Sequence, residues 1–178
     1  MRVLLLHSED NAYSLDPVYW GYGPEWWQKP PLINARSETA ATGRMFKPLF
    51  NNGRALVPAN GWIEWKRSGD VKQPYFIQPR DKTPLFFAAI GHAPYRTGTL
   101  QDESREGFVI VTAASDRGLV DIHDRMPLVL TPPSALEWLD DGTSREAAVE
   151  LMRSGAVPSA DFVCHPVSKA VGSVKHQG

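Results

Sequence analysis

The sequence predicts an α+β protein: a single domain with a curved, mainly antiparallel, barrel-like β-sheet and a few short flanking helices. Short runs rich in β-branched and aromatic residues recur along the chain, and they outnumber the helical patterns. Strands and helices do not alternate as they do in parallel α/β folds. The 15 prolines and 14 glycines divide the chain into short segments, which also favours strands and loops. A length of 178 residues suffices for one domain with its own core.

Seven apolar runs bounded by turn residues are predicted to be strands. In chain order they are Val3–Leu6, Ala55–Val57, Trp62–Lys66, Tyr75–Gln78, Leu85–Gly91, Phe108–Thr112 and Leu128–Leu130. The polar segment Thr97–Glu106 is predicted to be a flexible loop.

Three helices are predicted, each from a capping residue that precedes a helical pattern. They cover about Glu38–Leu49 after Ser37, Pro132–Leu139 after Thr131, and about Ser144–Ser154 after Thr143. Proline suits the first position of the second helix. In the third, Thr143 and Glu146 have capping-box spacing, and Gly155 follows the predicted end.

Composition limits the class of protein. Hydrophobic content of 42% and charged content of 22% are ordinary for a soluble globular protein, and no apolar run reaches the roughly 20 residues of a membrane-spanning helix. The one cysteine, Cys164, excludes an internal disulfide and fits a reducing cytoplasm. The five histidines show no metal-binding spacing, and no Gly-x-Ser-x-Gly motif is present. We therefore expect a cytoplasmic monomer with no cofactor, no metal and no membrane partner.

Charge is unevenly distributed although the net charge is only −1. Residues 36–72 contain seven cations against three anions, a balance of +4, whereas residues 131–161 contain two cations against six anions, a balance of −4. A locally basic surface fits a polyanionic ligand. Two ordinary solvated faces explain the same pattern equally well.

Three stretches each contain one reactive polar side chain: Asn34, Glu64 and His123. Glu64 lies between Trp62 and Trp65, and low-polarity surroundings raise a carboxyl pKa, which equips the acid to transfer protons near neutrality. In a strand, Glu64 shares a face with Trp62. A carboxylate at a strand end, paired with Lys66 or Arg67, is the equally weighted alternative.

His123 and Asn34 also have two interpretations. A histidine beside carboxylates can hydrogen-bond an oxygen that gains charge during a reaction, although a single histidine is more often structural. An amide after two prolines can orient a nucleophile, although asparagine there is usually a turn residue. Arg36, two residues after Asn34, could contact a phosphate.

Trp26 and Trp27 are adjacent, so in extended chain they face opposite ways and at least one can be exposed. Exposed aromatic rings near cations suit stacking on nucleobases. Core packing is the simpler explanation for a large aromatic side chain.

Together, these stretches resemble the SRAP family, the SOS response-associated peptidase domain, along essentially the whole chain. The matching blocks are Trp20-Gly21, Trp26-Trp27, Asn34-Ala35-Arg36-x-Glu38, Phe46-Lys47, Gly61-Trp62-x-Glu64-Trp65, Val111-Thr112, Asp121-Ile122-His123-Asp124-Arg125-Met126-Pro127 and His165-Pro166-Val167-Ser168. So many blocks in one order make a chance match very improbable.

The resemblance implies a DNA-damage protein that binds single-stranded DNA and recognises abasic sites. In the family, removal of the initiator methionine exposes a cysteine, whose amine and thiol attack the ring-opened sugar aldehyde and form a thiazolidine DNA–protein crosslink. By match, Glu64 would be the proton shuttle, Asn34 would position the cysteine amine, and His123 would stabilise the sugar oxygen. Matched DNA contacts would be phosphate ligands and a base-stacking wedge: Arg36, Arg44, Thr112, Arg125, and Trp26 with Trp27.

One departure concerns the start of the chain. The family begins Met-Cys-Gly-Arg, with roughly three dozen further residues before the position that matches Val3, whereas here position 2 is Arg2. We therefore expect a domain over residues 1–178 that is truncated at its N-terminus relative to the family, with the crosslinking chemistry belonging to a full-length form. A non-covalent single-stranded DNA-binding module and a self-processing or general cysteine peptidase are the alternatives.

Overall fold

The computed structural model describes residues 1–95 and 105–172. Within them lie ten strands and five short α-helices, which confirms the predicted α+β class. The chain forms two compact units. The first contains residues 1–58, 86–113 and 127–157, and the second contains residues 59–85, 114–126 and those from 158 onward.

The strands are short, as the spacing of prolines and glycines predicts. They are β1 (Arg2–Glu9), β2 (Ala12–Tyr19), β3 (Asn34–Arg36), β4 (Arg54–Ala59), β5 (Trp62–Ser68), β6 (Val71–Pro79), β7 (Leu85–Gly91), β8 (Phe108–Ala114), β9 (Arg125–Pro127) and β10 (Phe162–Pro166). The helices are α1 (Ser37–Ala40), α2 (Lys47–Asn52), α3 (Arg117–Val120), α4 (Pro132–Leu139) and α5 (Arg145–Ser154). Ser159–Asp161 and Lys169–Gly172 form 3₁₀ turns.

The larger sheet has the strand order β2-β1-β4-β7-β8-β3. β1 and β2 form an antiparallel hairpin, whereas β3 runs parallel to β8. Directly after β2, Trp20 bridges Phe108 in β8, four places along the order, and the Gly21 N–H donates to the Phe108 carbonyl at 2.8 Å. The sheet is therefore curved, as predicted.

The core of the first unit is built around Trp138 on α4, which is fully buried. Its indole N–H donates to the carbonyls of Ala55 (3.0 Å) and Ala89 (3.3 Å), and its ring packs edge-on against Phe50 at 5.6 Å between centroids. The Arg54 guanidinium donates to several carbonyls in and after α4, including Trp138 at 3.0 Å. Helix α4 is thus fixed to the sheet by directional contacts as well as by apolar burial.

The second unit contains a three-stranded sheet in the order β10-β6-β5. β5 and β6 form an antiparallel hairpin that turns at Gly69, whose φ of +58° favours glycine. The buried Trp62 packs edge-on against Phe162 on β10 at 5.2 Å. Alternation along β5 buries Trp62, exposes Ile63 and half-buries Glu64, which confirms the predicted sharing of a face by Trp62 and Glu64.

The predicted helix over Glu38–Leu49 is wrong as a single element. The structure has the separate helices α1 and α2, with Arg36 rather than Ser37 at the first N-cap. Gly43 interrupts the helical pattern between them. Pro48 lacks an N–H and its ring would collide with the carbonyl four residues earlier, so a helix can begin near it but cannot run through it.

Other boundaries differ by smaller amounts. α4 has its predicted bounds, whereas the N-cap of α5 is Ser144, whose hydroxyl accepts from the Ala147 N–H at 3.1 Å. The predicted cap, Thr143, instead donates to the Glu137 carbonyl. Leu128–Leu130 makes isolated bridges rather than a named strand. Of the predicted loop Thr97–Glu106, residues 97–104 lie outside the described part of the chain.

Candidate functional site

Glu64 is a half-buried carboxyl on β5, in the second unit. Burial is the largest influence on it and raises its pKa above the ordinary value, and nearby Asp124 acts in the same direction. The charge of His123 and the Trp65 backbone N–H oppose that rise. The strongest charges acting on Glu64 therefore come from the segment that contains His123, not from Lys66 or Arg67 beside it in sequence.

His123 lies in the loop between α3 and β9, and its side chain is 46% exposed. Its Nδ1 lies 3.1 Å from the Arg125 backbone N–H donor and 3.2 Å from Asp124 Oδ1. Because these contacts all involve Nδ1, they leave Nε2 for a ligand. Glu64 and His123, 59 positions apart in sequence, are thus near neighbours of complementary chemistry.

Asn34 and Arg36 belong to β3, in the first unit. Both are exposed, whereas Ala35 between them is almost fully buried, so the two polar side chains share the outer face. The parallel register places Arg36 opposite Thr112 on β8. Thr112 is largely buried, and its hydroxyl donates to the Ala35 carbonyl at 3.4 Å. An amide and a guanidinium therefore project from one short strand.

Trp26, Trp27 and Arg44 also lie together in the first unit. The Trp26 ring is 46% exposed and meets Trp27 edge-on at 6.3 Å between centroids. The Arg44 guanidinium lies over the Trp26 ring at 4.5 Å, a cation–π distance. This arrangement offers an aromatic surface next to a positive charge, which is the combination that single-stranded nucleic acids bind.

Two groups near these sites were missed by sequence reasoning. Tyr75 lies directly opposite Glu64 in the β5–β6 register, and opposite side chains on such a pair are in contact range. Arg105 donates from its side chain to the backbone around Trp27, about 78 positions away. A hairpin predicted to turn at Gly69 would have paired Tyr75 with Glu64. No spacing in the sequence connects Arg105 to the tryptophans.

Not every cation of the basic 36–72 segment is available to a ligand, because Arg54 is committed to carbonyls around α4. Burial lowers the pKa of Arg54, with Asp141 and Asp140 opposing that change.

Among the described residues, no group of three or more histidine, cysteine or acidic side chains could hold a metal ion. No helix in the described ranges has the length and apolar character needed to cross a membrane.

The chain is similar along nearly its whole length to proteins named for abasic site processing. It is 59% identical over 177 residues to the abasic site processing protein YedK of Escherichia coli, covering 99% of this chain and 78% of that protein. It is 32% identical to the abasic site processing protein HMCES of Rattus norvegicus, covering 96% of this chain but only 58% of the rat protein.

A solved structure and a family model agree with these sequence relationships. A phage-related protein of Bordetella bronchiseptica superposes with a TM-score of 0.83 at 41% identity, over 99% of this chain and 82% of that one. The model of the SOS response associated peptidase family matches residues 1–174. The resemblance deduced from the sequence blocks is confirmed, and the chain belongs to the SRAP family.

Proposed function

We propose that this protein acts in the response to DNA damage by binding single-stranded DNA at abasic sites. In a form of the protein with a preceding segment that begins Met-Cys, the initiator methionine is removed first. The exposed N-terminal cysteine then forms a thiazolidine crosslink with the lesion. The observation that carries the proposal is the Glu64 carboxyl, its pKa raised by burial, with His123 close enough to act on it. The names of the relatives, abasic site processing proteins, support the same class of substrate.

The proposed chemistry uses Glu64 as an acid and a base. The cysteine amine adds to the C1′ aldehyde of the opened sugar, and Glu64 supplies the proton with which the carbinol oxygen leaves as water. Loss of water leaves an iminium whose nitrogen already carries one proton. The thiol adds to the iminium carbon and the thiol proton returns to Glu64, which closes the thiazolidine and restores the acid. Because burial raises its pKa, Glu64 holds its proton to higher pH than an exposed carboxyl does, which favours the first transfer.

The other residues have separate proposed roles. His123 hydrogen-bonds the sugar oxygen through Nε2, because Nδ1 is engaged by Asp124 and the Arg125 backbone. Asn34 positions the cysteine amine. Arg36, Arg44, Thr112 and Arg125 contact phosphates beside the lesion, and Trp26 and Trp27 stack on neighbouring bases.

The test uses the chain extended by a family-length leader that begins Met-Cys-Gly-Arg. Mixed with an oligonucleotide that carries one abasic site, the extended protein should give an adduct that survives a denaturing gel. Glu64→Gln should slow adduct formation about 100-fold or more, the lower end of the range for acid–base catalysis. The matched control, Glu146→Gln, changes an exposed carboxyl on α5 and should leave the rate unchanged.

Two outcomes would refute parts of the proposal, the first the covalent bond and the second the role of Glu64. One is the absence of a shifted band although the extended protein binds the oligonucleotide. The other is an equal rate for Glu64→Gln and the wild type across pH, which would make the carboxyl structural. Binding without a bond would instead support the alternative of a non-covalent single-stranded DNA-binding module. A tetrahydrofuran site, which has no aldehyde, provides the control for binding alone.

A further inference from the structure

We propose that Arg105 is a positioning residue that holds the tryptophan loop, residues 23–29, in the conformation that stacks on DNA bases. This inference deepens the proposed function and rests on it. The loop contains Trp26 and Trp27, and Arg105 precedes β8 in the same compact unit. No feature of the sequence connects the two segments, which lie about 80 positions apart.

The Arg105 side chain reaches three carbonyls of the loop. Its Nε donates to the Gly23 carbonyl at 3.2 Å, and one terminal nitrogen donates to the Trp27 carbonyl. Both terminal nitrogens lie 3.5 Å from the Lys29 carbonyl. The backbone adds a further bond, because the Gly23 N–H donates to the Arg105 carbonyl at 2.9 Å. The guanidinium therefore joins the start, middle and end of the loop.

The fit around Gly23 shows that the guanidinium is packed into the loop. A Cβ at Gly23 would lie 2.9 Å from the Arg105 terminal nitrogen and 3.2 Å from the Trp27 ring. A side chain at position 23 would therefore have to displace the guanidinium or the Trp27 ring. Arg105 is half-buried, so its hydrogen bonds to the loop are partly shielded from water.

Within residues 1–95 and 105–172, the other hydrogen bonds of the loop are short-range. The Trp27 N–H donates to the Pro24 carbonyl at 2.8 Å, the Trp27 indole donates to the Pro30 carbonyl, and the Gln28 amide donates to the Glu25 carbonyl. Each connects residues three positions apart, so these bonds shape turns but do not fix the loop to the sheet. Arg105 supplies that attachment.

The direction of the donors distinguishes this role from that of a phosphate ligand. Nε and one terminal nitrogen bond loop carbonyls, and the other terminal nitrogen also faces the Lys29 carbonyl. A guanidinium is a planar fork with fixed donor directions, so a lysine ammonium cannot reach the same carbonyls together. Arg105 thus acts on DNA through the tryptophans, whose stacking surface is ordered before binding.

The experiment compares Arg105→Met with Arg80→Met in the 178-residue chain. Arg80 is an exposed arginine whose Nε also donates to one backbone carbonyl, that of Ala160, so the control removes an equal charge and a similar bond. Arg105→Met should weaken binding of a single-stranded oligonucleotide by about fivefold or more, a typical loss for one stacked base. The Arg80 variant should bind as the wild type does. Arg105→Lys should recover only part of the loss.

Two further readouts separate positioning from direct phosphate contact. If Arg105 acts through the loop, its loss leaves the salt dependence of binding unchanged, and Arg105→Met adds little to the effect of Trp26→Ala. If Arg105 binds phosphate, the slope of log affinity against log salt becomes shallower by about 0.7 and the two substitutions act independently. Either of the latter results overturns the proposal.

Hydrogen exchange of the free protein tests the attachment without DNA. Amides in residues 23–29 should exchange faster in Arg105→Met, while amides of β7 and β8 keep their protection. Unchanged exchange in the loop overturns the inference whatever the binding result. If the wild-type chain does not bind single-stranded DNA, the proposed function fails, and the exchange rates still report separately whether Arg105 holds the loop.

Discussion

Arg36 provides a quantitative test of the proposed DNA contacts. Its side chain is exposed on β3, so Arg36→Met removes a charge with little expected effect on stability. On single strands, each neutralised phosphate contributes about −0.7 to the slope of log affinity against log salt. Three phosphate-binding arginines give a slope of about −2.1, and two give about −1.4. Between 50 and 200 mM salt, affinity should therefore fall about 18-fold for the wild type but only about 7-fold for Arg36→Met.

Fluorescence anisotropy with a labelled single-stranded oligonucleotide measures both slopes. The matched control is Arg153→Met, which removes an equal charge from the last turn of α5, within the acidic 131–161 stretch. Its slope should equal that of the wild type. If Arg36→Met keeps the full slope, Arg36 does not contact phosphate. If Arg153→Met loses as much slope as Arg36→Met, binding depends only on total charge and the proposed interface is wrong.

Two further predictions concern stability, and both can be measured by thermal unfolding. Because burial raises the pKa of Glu64 in the folded state, the folded protein binds more protons than the unfolded chain above the ordinary value of 4.5, so ionisation of Glu64 costs stability as pH rises. Glu64→Gln should match the wild type below pH 4.5 and become relatively more stable toward neutral pH; a difference independent of pH would contradict this. Gly107→Ala would place a Cβ 1.8 Å from the Tyr19 carbonyl oxygen and should destabilise the protein by about 3 kcal/mol or more. At Gly118, apart from its chain neighbours and its own helix backbone, no atom would lie within 4 Å of the new Cβ. Gly118→Ala should therefore cost little, and equal losses for the two substitutions would refute the steric argument.

Local sequence patterns predicted the elements that depend on local physics. β5 and β7 appear where apolar runs indicated them, because alternation and β-branched residues report a half-buried strand directly. β2 was missed because Asp16 and Pro17 interrupt its pattern, and its place at the edge of the sheet order is where proline is tolerated. β3 is only three residues long, too short to show a strand pattern in its own sequence. It is recognisable as a strand only from its backbone pairing with β8.

In the candidate site too, features set by neighbouring residues could be predicted, whereas contacts between distant segments could not. The raised pKa of Glu64 could be predicted from the two neighbouring tryptophans, since burial of a carboxyl follows from its own strand. The closeness of Glu64 to His123 depends on how β5 packs with a later loop. No periodic pattern in the sequence indicates that packing. The contacts of Arg105 with the loop around Trp27 are of the same long-range kind.

The placement of Arg44 over the Trp26 ring links charge and aromatic surface in one interaction. Shortening or neutralising Arg44 would remove the cation from the face of the Trp26 ring. Replacing Trp26 would remove the ring that the guanidinium contacts. A substitution at either position alone would therefore lose the cation–π contact. Evolutionary replacements at 26 and 44 should be accepted as a matched couple, such as a lysine over a tyrosine.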